Sequence, residues 1–149
     1  MSKVRSAVRQ ISAADDVIVI EAHLSMPPDE AYRHWTDPQL LARWWAPQAA
    51  FDPAGMYRYS WPDQGWELSG RVLDADPGRR LRLTWQWSHE PERPERTVEV
   101  RFEPDDGDGT RLQLEHGTYG ADTDERADRR DVADGWLHFL GRLAALDPA

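Results

Sequence analysis

Five histidines, four tyrosines and eight tryptophans carry most of the chemistry this 149-residue chain could perform, because it has no cysteine and its single lysine is Lys3. Disulfides, thiolate catalysis, Cys-ligated zinc and Fe–S clusters are thereby excluded. The histidines at 23, 34, 89, 116 and 138 share no face, so no metal site is expected, and phosphate-loop, dinucleotide, zinc-protease and nucleophile-elbow motifs are missing. No cofactor is expected. The run Asp105-Asp106-Gly107-Asp108-Gly109 lacks the ligand spacing of a calcium loop and reads as a hairpin turn. His116 is the most informative polar residue. It has the parity of Leu112 and Leu114 and should point inward, while the Gly117-Thr118-Tyr119-Gly120 turn after it should leave it near a rim that water reaches. There it is a candidate to hydrogen-bond a bound carbonyl or phenol, or to carry a proton in an enzyme. The Tyr57 and Tyr59 hydroxyls are the other candidates for acid–base work. His138 lies about 200° around a helix from Trp136 and is placed in solvent.

The elements that must hold these groups follow from patterning. From Val17 to Leu24 the even positions Ile18, Ile20, Ala22 and Leu24 are apolar, as in a strand with one face on a core. Pro27-Pro28-Asp29-Glu30 opens a short helix that buries Ala31, Tyr32 and Trp35. Asp37 caps a second one carrying Leu40, Leu41, Trp44 and Trp45, which Pro47 ends. Strands are expected over Met56–Trp61, Trp66–Ala75, Arg80–Trp87 and Thr97–Glu103, and a last one offers Leu112, Leu114 and His116 inward. On the first hairpin, Tyr57, Tyr59 and Trp61 share one face, and Trp66, Leu68, Gly70 and Val72 share another. The polar stretch Ala121 to Arg130 leads into a terminal helix, read as a solvated start, whose Val132, Trp136, Phe139, Leu140 and Leu143 form an apolar stripe. Residues 1–15 are an N-terminal extension with a helical spacing of Val4, Val8 and Ile11, expected to be frayed or loosely docked. Residues 16–149 form one domain.

Forty per cent of the chain is apolar, enough for one core. A net charge of −9 repels a phosphate backbone, so no nucleic-acid partner is expected. No apolar run reaches the ~20 residues of a membrane span, and a cytoplasmic location is expected. About six antiparallel strands must bury their apolar face against the long helix, and curving them around it predisposes the fold to a cavity. Free sheet edges and the N-terminal segment offer a pairing surface, so a homodimer is expected.

Several fragments resemble a known family. Trp35-Thr36-Asp37-Pro38 with Leu41-Ala42-Arg43-Trp44-Trp45-Ala46-Pro47 resembles the W-T-D-P-x-x-L-x-x-W-W-x-P signature of the Hsp90-ATPase-activator-homologue (AHSA1-like) proteins of the START/SRPBCC superfamily. Gly55-Met56-Tyr57-Arg58-Tyr59, Gly70-Arg71-Val72-Leu73, Leu81-Arg82-Leu83-Thr84-Trp85, Gly109 to His116, and Gly135-Trp136 follow in the same order. The resemblance implies an α+β helix-grip fold: a curved antiparallel sheet around a long C-terminal helix, with two short helices after the first strand. It also implies a hydrophobic tunnel between sheet and helix, used across the superfamily for lipids, sterols, polyketides or plant hormones. On this reading the partner is a small hydrophobic or aromatic molecule. Trp44, Tyr57, Tyr59, Trp66, Trp85, Trp87, Phe102, His116, Trp136 and Leu140 are its expected contacts. The alternatives are a cyclase or hydratase using His116 and tyrosine hydroxyls, and a chaperone-regulating interaction protein. For the latter, the separate N-terminal domain with which the eukaryotic activator grips its client is not expected in this chain.

Overall fold

The computed structural model describes residues 7–147. In chain order it has β1 (Val8–Gln10), β2 (Val17–Leu24), α1 (Pro28–Thr36), α2 (Pro38–Leu41), β3 (Gln48–Phe51), β4 (Met56–Trp61), β5 (Trp66–Asp76), β6 (Arg80–Trp87), β7 (Arg96–Pro104), β8 (Thr110–Gly117) and α3 (Thr123–Ala144). The strands form one antiparallel sheet in the order β1-β2-β8-β7-β6-β5-β4-β3. This is the helix-grip architecture, with eight strands rather than about six.

The two additional strands are the sheet's edges, and both are short. Within the stretch whose apolar spacing looked helical, Val8 to Gln10 pairs with Ala22 to Ile20 instead. Val4, the other member of that spacing, lies outside the described residues. Gln48–Phe51 pairs with β4 just after Pro47, and its residues are half-buried or exposed. Val8 and the pair Ala49 and Phe51 pack against the core, but segments this short are paired mainly because the neighbouring strand leaves backbone donors and acceptors to satisfy.

Alternation places Ile18, Ile20, Leu81, Leu83, Val98, Val100, Leu112 and Leu114 on the concave face, all 0–1% exposed. In the β4–β5 hairpin, Tyr59 stands opposite Leu68 and Trp61 opposite Trp66. Directly paired residues point to the same side of a sheet, so the two faces that sequence parity kept apart are one inner face.

The β5–β6 ladder shifts register between Val72 and Asp74. Just before that shift, side chains add hydrogen bonds around Thr84. Thr84 Oγ1 accepts from the Arg71 amide at 2.8 Å, and the Tyr57 hydroxyl donates to the Thr84 carbonyl. Gly70 is what lets Thr84 come so close, since a Cβ there would collide with the Thr84 carbonyl and hydroxyl oxygens.

The short helices and α3 close the concave side unevenly. Asp37 caps α2 by accepting from the Gln39 amide at 2.9 Å, and Asp122 caps α3 by accepting from the Glu125 amide at 2.8 Å. α1 lies against β7, α2 against β3, and α3 against β2 and β1. Arg129 holds the last contact by donating to the Val17 carbonyl at 2.8 Å. Because α3 leans to the β1–β2 end, its far side stands off from β4, β5 and β6. No described helix is long and apolar enough to cross a membrane.

Gly70→Ala is expected to destabilise the fold by ~1–3 kcal/mol, the usual cost of overpacking a filled site. Urea unfolding of the variant against wild type measures it.

Candidate ligand cleft under the C-terminal helix

Where α3 stands off the sheet, aromatic side chains occupy the gap without filling it. The cleft has a volume of about 350 Å³. Its floor is Trp45, Trp61, Trp85 and Trp87; its roof is Val132, Gly135, Trp136 and Phe139 of α3; Trp66, Glu90, Asp128 and Asp131 stand at its mouth. Trp45 organises the floor. Its indole stacks on Trp85 with centroids 5.7 Å apart and planes 9° apart, meets Trp136 at 5.1 Å and Tyr59 at 5.0 Å, and its carbonyl accepts from Trp61 Nε1 at 3.2 Å. Trp66 is 46% exposed, unusual for so large an apolar group. Outside it the exposed His89 ring stacks against Trp66 and Trp87 at 6.2 and 5.4 Å.

Gly135 is the one gap in the roof's side chains. A Cβ built there meets nothing within 4 Å, although a glycine inside a helix costs about 0.5–1 kcal/mol relative to alanine. The missing side chain is open cleft.

Of the ten expected contacts, Trp66, Trp85, Trp87 and Trp136 line the cleft. Trp44 is fully buried and donates from Nε1 to the His34 carbonyl at 2.8 Å. The Tyr59 hydroxyl donates to the Trp35 carbonyl at 3.2 Å, and that of Tyr57 to Thr84. Burial pushes both phenols up, so neither is an acid near neutrality. Phe102 packs edge-on to Tyr32 at 5.7 Å under α1, and Leu140 lies wholly in the core. Trp45, Val132 and Phe139 are lining residues that the sequence marked only as helix stripes. Alternation reports which face a side chain takes, and it is silent on whether that side chain meets another or a void.

His116 requires a correction. It points inward as expected, but it is 0% exposed and lies behind the cleft wall rather than at a wet rim. Its ring is sandwiched by Trp85 at 4.7 Å, Tyr119 at 5.9 Å and Trp136 at 6.2 Å. Nδ1 accepts the Trp136 indole N–H at 2.8 Å, so the neutral ring carries its proton on Nε2, where it has no partner. Burial, with help from the Arg96 charge, lowers its pKa to about 3. A base that weak is a poor proton carrier at neutral pH. His34 is also held below its ordinary value, chiefly by burial; Arg43 donates to its Nε2 at 2.8 Å, so its Nδ1–H donates to the Glu30 carbonyl. No group of His, Asp and Glu suited to a metal ion occurs among the described residues.

The start of α3 is less solvated than its composition suggests. Arg96, 5% exposed, donates to Glu125 at 2.6 Å, to Asp128 at 3.2 Å and to the Thr118 carbonyl, and its guanidinium sits 3.8 Å from the centre of the Tyr119 ring. Burial works against the charge on Arg96, and the Glu125 hydrogen bond together with Tyr119 and the Glu125 and Asp128 carboxylates more than offsets it, so its pKa rises. Beside this node a recess of about 20 Å³, room for one water, lies between Tyr119, Arg96 and Asp128 and shares Trp85, Trp87 and Val132 with the cleft. The buried Tyr119 hydroxyl has no partner.

Residues 25–146 match the family described as Activator of Hsp90 ATPase homolog 1-like protein. The chain belongs to that family. Among solved structures, protein MLL2253 from Mesorhizobium loti is 29% identical with a TM-score of 0.72, the match covering 86% of this chain and 93% of that one. CalU16 from Micromonospora echinospora is 29% identical with a TM-score of 0.64, over 93% and 84% of the two chains. DynU16, a protein of the dynemicin biosynthetic locus, is 26% identical with a TM-score of 0.72, over 88% of this chain and 46% of its own. This chain thus matches about half of DynU16. Comparison with curated proteins gave no match.

Two outcomes follow from this geometry. The folded protein holds His116 neutral while the unfolded chain takes up a proton as pH falls below 6.5, so stability declines from there toward the folded value of about 3. His116→Gln should remove up to ~1.4 kcal/mol per pH unit of that decline, measured by urea unfolding between about pH 7 and 5. Gly135→Ala should raise stability by ~0.5–1 kcal/mol in the same assay, because it gains helix propensity without a clash.

Proposed function

We propose that this protein binds a flat, largely hydrophobic organic molecule in the tryptophan-lined cleft between β4–β6 and α3. The observation that carries the reading is the cleft itself: a 350 Å³ space walled by indoles, roofed by a helix glycine whose missing side chain keeps it open. Indole faces offer a large stacking area at little entropic cost, and such concave apolar sites are where small organic ligands bury most of their surface. Similarity to part of DynU16, a protein of the dynemicin biosynthetic locus, supports a ligand drawn from the biosynthesis of a natural product.

The cyclase reading as drawn on His116, Tyr57 and Tyr59 finds less support, since none of the three lines the cleft and both tyrosine hydroxyls serve backbone carbonyls. Binding is therefore the preferred reading.

A neutral anthraquinone titrated into the protein should quench tryptophan emission saturably. Gly135→Leu, which puts a side chain into the cleft, should abolish this while leaving the circular dichroism spectrum unchanged, and Trp66→Ala should weaken it roughly twofold to tenfold, as loss of one stacking partner does. Quenching in Gly135→Leu equal to that of wild type would place the site elsewhere.

A further inference from the structure

We infer that the cleft selects a positively charged aromatic ligand, one bearing an ammonium or another cationic nitrogen, over neutral and anionic molecules of the same shape; this rests on the cleft being the ligand site. Three carboxylates, Glu90, Asp128 and Asp131, stand at the opening of a chamber whose walls are indole rings. The two arginines of the recess beside it are already engaged. Arg93 lies 3.7 Å from Glu90 and 3.8 Å from Glu125, and Arg96 is held by Glu125 and Asp128. Asp131, exposed on α3, forms none of the ion pairs found among the described residues. The mouth therefore keeps an excess of negative charge after its internal pairs are made. The net charge of −9 extends the same sign over the surface, which draws cations in and slows anions.

The walls reinforce this choice. The π faces of Trp61, Trp66 and Trp87, of which Trp87 meets the other two at 5.3 and 6.2 Å, are electron-rich and attract a cation that enters beside them, tryptophan being the strongest of the aromatic partners. Next to the cleft, the Tyr119 hydroxyl is buried, unpartnered and on the wall of the small recess that shares Asp128 with it. Its oxygen is free to accept from a donor that reaches the recess, whose wall also holds Arg93 and Arg96. An anion entering the same space would lose its hydration against apolar rings and meet carboxylates at the rim, with no cation among the lining residues to receive it.

The test uses the full chain and three probes of one shape: naphthylmethylammonium, naphthylmethanol and naphthylacetate, titrated calorimetrically at low and at raised salt. The ammonium should bind roughly tenfold or more tighter than the carboxylate, with the alcohol between, and the spread should narrow as salt rises. In Glu90→Gln with Asp131→Asn, two exposed or half-exposed changes that leave the Arg96 node whole, the ratio of ammonium to alcohol affinity should fall toward one. Carboxylate binding as tight as that of the ammonium, or a ratio unchanged in the double variant, overturns the charge assignment while leaving a binding cleft in place. If none of the three binds, the cleft reading itself fails and this assignment fails with it.

Discussion

The stacking of Trp45 on Trp85 governs the concave side of this molecule. Two indoles lying nearly parallel on the sheet raise a platform that α3 meets through Trp136 rather than through small aliphatic side chains. A helix set down on such bulk at one edge and on β1 and β2 at the other cannot follow the sheet's curvature along its whole width. Close packing is achieved over the aliphatic half, where leucines, isoleucines and valines interdigitate; over the aromatic half, rigid rings leave a space that their few rotamers cannot close. The cleft is thus a consequence of where the tryptophans fall in the strand order.

Polar groups buried beneath this layer follow a related logic. His116 meets an indole N–H on one nitrogen and apolar rings elsewhere, so the neutral imidazole is the form the core accepts. Arg96 is the opposite case. It remains charged because Glu125 and Asp128 come down from the first turns of α3 to meet it, and Tyr119 offers its ring. One pins α3 to β8 near the middle of the helix and the other pins its start to β7, which fixes the height at which the roof of the cleft stands. Replacing either partner alone would leave a buried group uncompensated.

Membership of the AHSA1-like family accounts for the architecture, yet a shared fold is compatible with many ligands. What distinguishes this chain is the lining: indoles on floor and mouth, carboxylates at the rim, and an unoccupied helix position at Gly135. These are properties of side chains, and it is from them that the ligand class proposed above derives.

Much of the fold was legible in the sequence because strands β2, β4, β6, β7 and β8 each carry an apolar alternation, β5 carries one over its first half, and the stripe from Val132 to Leu143 has the helical period. The edge strands β1 and β3 were not, since three or four residues with one or two apolar side chains show no period and acquire their conformation from the strand they pair with. Parity likewise assigned Trp66, Trp85, Trp87 and Trp136 to the interior, where they line the cleft, and it assigned Tyr57, Tyr59, Phe102 and His116 there with equal force. Alternation and periodicity are local, so they decide which side of an element a residue takes. Whether that side meets protein or empty space depends on strand order and helix tilt, which only the packed tertiary structure decided: it brought Trp61 and Trp66 together on one face, sealed His116 behind Trp85 and Trp136, and left Gly135 facing open space.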